Sequence, residues 1–327
     1  MFSKKSIYLV VLCFLLVGLS SWGYLVHKTI NQIAIYNLPE PLRSFFHKDK
    51  AYLIENAPRP DARRNGDKTE APKHIIDVEK YGINAINEMP IDFASAIKKY
   101  SFDTLAKHGY GPYAVVAEYE KLVSAFKSGN KDSILFHAAD LGHYIGDINT
   151  PLHTTENYDG QMTNQKGIHA LWETNVPEYA LSQYQLYNNH KATYLKDPAA
   201  SIWEAARKSF AQLPAMFAIE KEVSIQFTPE TKYSMQMRYG RMSKVYTKEF
   251  AAAYSNGISP MVNLQLITAA NLLTDFWYTA WVNAGKPPVP FSKDFSNDGL
   301  KTELKSFKKN QLINDGLLIS KKGKPED

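Results

Sequence analysis

His143-Tyr-Ile-Gly-Asp147-Ile-Asn-Thr-Pro151-Leu-His153 sets a histidine and a carboxylate four residues apart, then a proline, then a second histidine. Residues four apart share one face of an α-helix, so the spacing predicts a helix that turns His143 and Asp147 toward one centre. Pro151 lacks an amide hydrogen and is expected to stop that helix, leaving His153 on the turn beyond, where it can face back. His169-Ala-Leu-Trp-Glu173 repeats the four-residue step. A lone pair of this kind is more often structural or incidental than functional. Two pairs grouped this tightly suggest zinc, because imidazole and carboxylate oxygen match that ion's borderline hardness and need no reducing compartment.

Outward from this stretch the chain reads as helical throughout, and the fold class is all-α, a single-domain bundle of many helices. Tyr24–Asn37, Pro39–Glu55, Pro112–Lys127, Asp132–Gly146, Gln165–Gln185, Ser201–Glu220, Met235–Ala253 and Ser259–Asn283 are the main helical candidates. No sustained strand alternation and no internal repeat is read. Between Asn56 and Lys73, Pro58, Pro60, Gly66 and Pro72 mark an irregular connection, so a ligand there would be held by a loop. Ser259–Asn283 is apolar, but Asn263, Gln265, Asn271 and Asp275 interrupt it, which favours a buried core helix over a membrane span.

The chain begins with Lys4 and Lys5 ahead of an apolar run from Ile7 to Leu19, ending in Ser20 and Ser21. This is the layout of a cleaved signal peptide over residues 1–21, and the run is short for a spanning helix. Cleavage there would make Trp22 the first residue, remove the single cysteine, Cys13, and lower the net charge from +5 to +3. A chain of this length needs no cross-links to bury a core. No Asn-x-Ser/Thr acceptor is present, and the expected location is secreted or periplasmic, with no integral membrane segment after signal removal and no obligate protein partner. Mild basicity does not repel an anionic substrate but is no nucleic-acid signature alone. Residues 22–290 form the expected domain; 291–327 read as a polar, lysine-rich extension, loosely attached and solvated.

Other candidates carry bland readings beside the functional ones. His47, His108 and His190 read as surface residues, His137 is undecided, and Asp140, one turn before His143, is a candidate partner for a ligand histidine. Asp61, between Pro60 and Arg63, also reads as a turn residue, and His74 with Asp77 as a helix-start pair. Arg59, Arg63, Arg64 and Lys68 form a basic patch near Asp61 that reads equally as a solvated face.

Taken in order, Trp22, His27, Asp61, His74, His143-x3-Asp147-x5-His153 and His169-x3-Glu173 resemble the zinc-dependent phospholipase C and S1/P1 nuclease superfamily, secreted all-helical enzymes with three zinc ions. The resemblance runs from Trp22 to at least Glu173. It implies one zinc held by Asp61, His74, His143 and Asp147, with Asp147 bridging to another. That second ion is completed by His27 and by Trp22 through its free amine and carbonyl oxygen, and the third is held by His153, His169 and Glu173. The last ligand is glutamate in many of the phospholipases and aspartate in fungal nucleases, so Glu173 leans toward phospholipid.

The chemistry so implied is phosphodiester hydrolysis by metal-activated hydroxide, with Asp61 as the catalytic residue that orients or deprotonates the nucleophile. Phospholipase C-like cleavage is slightly preferred. Cleavage of single-stranded DNA or RNA is the close alternative, and a zinc-stabilised protein without catalysis is the third. Tyr144, Tyr158, Trp172 and Tyr179 are abundant aromatics that cannot be assigned to a base pocket from sequence.

Overall fold

The computed structural model describes residues 23–238, 240–289 and 298–321. The expected signal peptide and Trp22 lie outside these residues. The all-α expectation is met: helices dominate, and the only sheet among the described residues is one two-stranded hairpin.

The centre of the molecule is a long helix whose buried residues include Leu266, Ala270, Leu273, Phe276 and Trp277. It runs Lys248–Asn283, starting eleven residues before the predicted Ser259 because Thr247 caps it by accepting from the Phe250 amide. Around it lie, in chain order, α1 (Tyr24–Asn37), α2 (Leu42–Lys48), α3 (Lys50–Glu55), α4 (Arg59–Arg63), α5 (Gly111–Ser128), α6 (Lys131–Ile148) and α7 (Pro198–Ser224). The hairpin strands β1 (Tyr233–Arg238) and β2 (Arg241–Tyr246) follow, then the central helix as α8 and a last helix, α9 (Asp298–Lys308). α8 packs against α1, α5, α6 and α7. The Trp277 indole donates to Ala138 O at 3.1 Å and the Thr274 hydroxyl to Ala34 O at 3.1 Å, tying α8 to α6 and α1. No helix among the described residues is long and apolar enough to cross a membrane, and α8 is a core helix as predicted.

Local chemistry explains the starts of α5 to α8. α5 has Pro112 in its first turn and ends at Gly129 in the left-handed region, φ 66°. Asn130 then caps α6 through the Ser133 amide, and Asp197 caps α7 through that of Ala200. The predicted helix Pro39–Glu55 is two helices that break at Asp49.

Two expectations are corrected. Met235–Ala253 was expected to be one helix, but its first half is β-hairpin, with Tyr233 paired to Tyr246 and Arg238 to Arg241. The alternation Tyr233, Met235, Met237 and the positive φ of Gly240, 74°, make strand and turn the better local solution. The second concerns the C-terminal extension, which is not loose over residues 298–321. Leu300, Phe307, Leu312 and Leu318 are buried in the common core, because α9 has an apolar face behind its lysines.

Candidate metal centre

α1 and α6 approach closely because α6 carries glycines where α1 crosses it. A Cβ on Gly146 would stand 2.8 Å from His27 Nδ1, and one on Gly142 would stand 1.8 Å from Asn31 Oδ1. Both pairs are spaced by four residues, so His27 and Asn31 settle onto a glycine-lined notch. His27 thereby stacks on His143 with ring centroids 4.1 Å apart.

Asp147, on the same face of α6 as His143, lies at the middle of the cluster. Its Oδ2 is 2.8 Å from His74 Nδ1 and 3.2 Å from His143 Nε2. Its Oδ1 is 3.5 Å from His27 Nε2 and 3.7 Å from His153 Nδ1. Asp61 Oδ1 stands 3.8 Å from both His74 Nδ1 and His143 Nε2, which are themselves 3.0 Å apart. His153 follows α6 on a 3-10 turn, Pro151–Thr154, as Pro151 predicted; its Nδ1 meets His74 O at 2.7 Å and its Nε2 lies 2.9 Å from Glu173 Oε1. A π turn, Leu171–Asn175, carries Glu173, and its Oε2 is 3.1 Å from His169 Nε2.

Eight of the nine sequence-predicted residues are thus brought together; Trp22 lies outside the described residues. Its neighbour Gly23 enters beside the cluster, with its Cβ position 4.0 Å from Glu173 Oε2. A narrow cavity adjoins this point, lined by His27 and Glu173 on one side and by Trp172, Pro177 and Leu266 on another.

The donor set fits cations of zinc's type. His27, His74, His143, Asp147 and His153 are all buried, and ring nitrogens face one another and shared carboxylates at distances that place acceptors in convergent groups. Burial and the neighbouring His143 push His27 down to about 4. Burial also opposes charge on His143, yet Asp147 and Asp61 reverse that effect and lift it to about 9. Burial would raise Asp147, but His143 and His153 hold it well below the usual carboxylate range.

A supporting network around the cluster was only partly visible in the sequence. Glu70, 1% exposed, accepts from Arg63 at 3.2 Å and Lys73 at 2.7 Å and from the Tyr144 hydroxyl, and lies 3.6 Å from His74 Nε2. Asp140 does not reach His143; it receives Arg59 at 2.5 Å and Arg63 at 2.7 Å. Half of the expected basic patch is therefore structural, with Arg59 and Arg63 fastening α4 to α6, while Arg64 and Lys68 are exposed. Arg64, 3.0 Å from Asp61, is the more exposed arginine. Asp61 itself lies in the short helix α4, not in a loop. The Glu70–His74 spacing of four was the signal that could have revealed Glu70.

The remaining histidines sort differently. His137 pairs with Glu118 at 2.6 Å, His108 with Asp77 at 3.5 Å and His190 with Asp275 at 2.9 Å. His47 is not a surface residue: it is buried against Glu303 at 2.9 Å.

Such a cluster of imidazoles and carboxylates on a helical scaffold could hold metal ions, and comparison with known proteins gives its relatives. Residues 22–276 match the S1/P1 nuclease family, and the chain belongs to that family. Nuclease S1 of Aspergillus oryzae is 26% identical over 182 residues, which cover 50% of this chain and 58% of that protein. Alpha toxin from Clostridium absonum superposes with a TM-score of 0.41 at 15% identity, covering 79% of this chain and 65% of the toxin. The chain spans less than two thirds of the length of either.

Proposed function

We propose that this chain is an exported, zinc-dependent phosphodiesterase of nuclease type that cleaves single-stranded nucleic acid. The observation that carries the catalytic reading is the division of Asp147 between two sets of imidazoles, Oδ2 toward His74 and His143 and Oδ1 toward His27 and His153. A purely structural zinc site needs four ligands and no bridging carboxylate. Asp61, His74, His143 and Asp147 would hold one ion, His27 and Asp147 with the Trp22 amine and carbonyl a second, and His153, His169 and Glu173 a third. Bound there, zinc supplies hydroxide near neutral pH and positive charge against the phosphate.

The chain's own groups do the rest. Asp61 is partly exposed at the edge of the cluster, where its carboxylate can orient a water and take its proton as oxygen attacks phosphorus and the ester oxygen leaves. Arg64 beside it is positioned to pair with a phosphate oxygen. Family membership supports nucleic acid as substrate, as does Tyr158: its ring is exposed and lies edge-on to His169 with centroids 6.2 Å apart, offering a stacking surface at the rim. Phospholipid is the second reading, favoured by glutamate at position 173.

The test uses protein beginning at Trp22 with its metal content established, and compares initial rates on single-stranded DNA and phosphatidylcholine micelles. Faster DNA cleavage supports the proposal; preference for the lipid transfers the site to phospholipase chemistry; bound zinc with neither activity leaves a non-catalytic metal protein. One extra residue before Trp22 turns the amine into an amide and should lower both zinc content and turnover.

A further inference from the structure

We propose that the hairpin β1–β2 is a docking arm for an anionic lipid bilayer. Alternation places Tyr233, Met235 and Met237 on one face, with Tyr246, Lys244 and Met242 as their cross-strand partners. The two tyrosines at the base are tied to the body: Tyr246 is buried, with its hydroxyl 2.9 Å from Glu220 Oε1 and 3.1 Å from Gln165 O. Beyond that base the same face turns to solvent. Met235, Met237 and Met242 are 58, 61 and 56% exposed, a contiguous apolar patch on an arm of roughly 20 Å.

The charges select the occupant. The two strands contain Arg238, Arg241 and Lys244 and no acidic residue. A second copy docking here would bring these cations against their own kind. A nucleic acid would use the cations but not three thioethers, and no exposed aromatic ring accompanies them among the described residues of the strands. An interface of acyl chains beneath anionic headgroups uses both: flexible methionines enter the boundary, and Lys244, paired with Met235 on the same face, meets the phosphates. The base of the arm also touches the metal centre's surroundings, since a Cβ on Gly167, two residues before His169, would lie 3.3 Å from the Tyr246 ring. Docking would therefore hold the His169 side of the cluster near the membrane. The inference concerns binding and is independent of which diester is cleaved.

Metal-loaded protein beginning at Trp22 is sedimented on ice with vesicles of phosphatidylcholine and phosphatidylglycerol at three to one, and with phosphatidylcholine alone. The anionic vesicles should bind roughly tenfold more tightly, and M235S/M237S/M242S should lose roughly tenfold of that binding. The variant's hydrolysis of a soluble diester, bis(p-nitrophenyl) phosphate, should stay within about twofold, with M237E as a single change that disturbs the fold less. Parent protein that fails to sediment, or variants that sediment equally well, overturns the proposal. So does a variant that keeps vesicle binding but loses a dimer in light scattering or a shift with single-stranded DNA.

Discussion

At the scale of single residues, the two aspartates of the cluster have opposite burdens. Asp147 is buried and shared by four imidazoles, whereas Asp61 is partly open to solvent at the cluster's edge. Asp61→Asn should therefore lower turnover by about 10²–10⁴-fold, the usual span of general-base loss, while the melting temperature stays within a few degrees. Full turnover in a zinc-replete variant would remove Asp61 from the mechanism. Gly146→Ala tests the notch: the new methyl has only 2.8 Å to His27 Nδ1, so it should push His27 off its stack on His143. Zinc per chain, measured by elemental analysis, should fall; unchanged stoichiometry would show that α1 yields without cost to the site. His143, Asp147, His153, His169 and Glu173 were legible because four-residue spacing and one proline carry geometry directly. Asp140 was misread because its partners, Arg59 and Arg63, lie about eighty residues away in sequence, and no local pattern encodes that pairing.

Among elements, ion pairs fasten α4 to α6. Arg63 bridges Glu70 and Asp140, two carboxylates with almost no exposure. Replacing it with methionine would leave both without their shared cation, a change that typically costs about 3–5 kcal/mol. Urea unfolding should show that loss, and a variant within about 0.5 kcal/mol of the parent would mean that Arg59, Lys73 and Tyr144 suffice. The hairpin was the element least visible in advance. Its Met, Tyr and Val residues satisfy a helical rhythm as readily as an alternating one, and the decision falls to Gly240 and to the Thr247 cap that starts α8 afterwards. Helix existence was legible for the long apolar stripes, but the short helices Phe93–Tyr100 and Phe102–His108 were not read, although Asp92 and Ser101 cap them. The split at Asp49 and the early start of α8 depended on packing and capping geometry instead.

For the molecule as a whole, α9 is the closing piece, and its anchor is Glu303. That carboxylate meets His47 at 2.9 Å, the Tyr36 hydroxyl at 2.8 Å and the Lys50 ammonium. Burial would raise its pKa, but His47, Lys50 and Tyr36 outweigh burial and hold it at about 2 against an ordinary 4.5. The unfolded chain takes up this proton first as pH falls, so the stabilisation is complete above 4.5 and is lost between 4.5 and 2. Its size is on the order of 3 kcal/mol. Glu303→Gln should flatten the dependence of the urea midpoint on pH across that window, and parallel curves for parent and variant would refute the assignment. Lysine-rich composition hid this role, because α9 is polar on average and apolar on one face only.

The contacts of the last described residues with the first described helix set an order of events. Gln32 donates to Leu317 O at 2.8 Å and accepts from the Ile319 amide at 2.9 Å, and the Thr29 and Ser320 hydroxyls lie 2.8 Å apart. α1, which carries His27, is thus clamped by chain that leaves the ribosome almost 300 residues later. The first described helix must wait for the last described segment before its position is secured, so a nascent or C-terminally shortened chain lacks this clamp on the helix that carries His27, whatever its other helices have achieved.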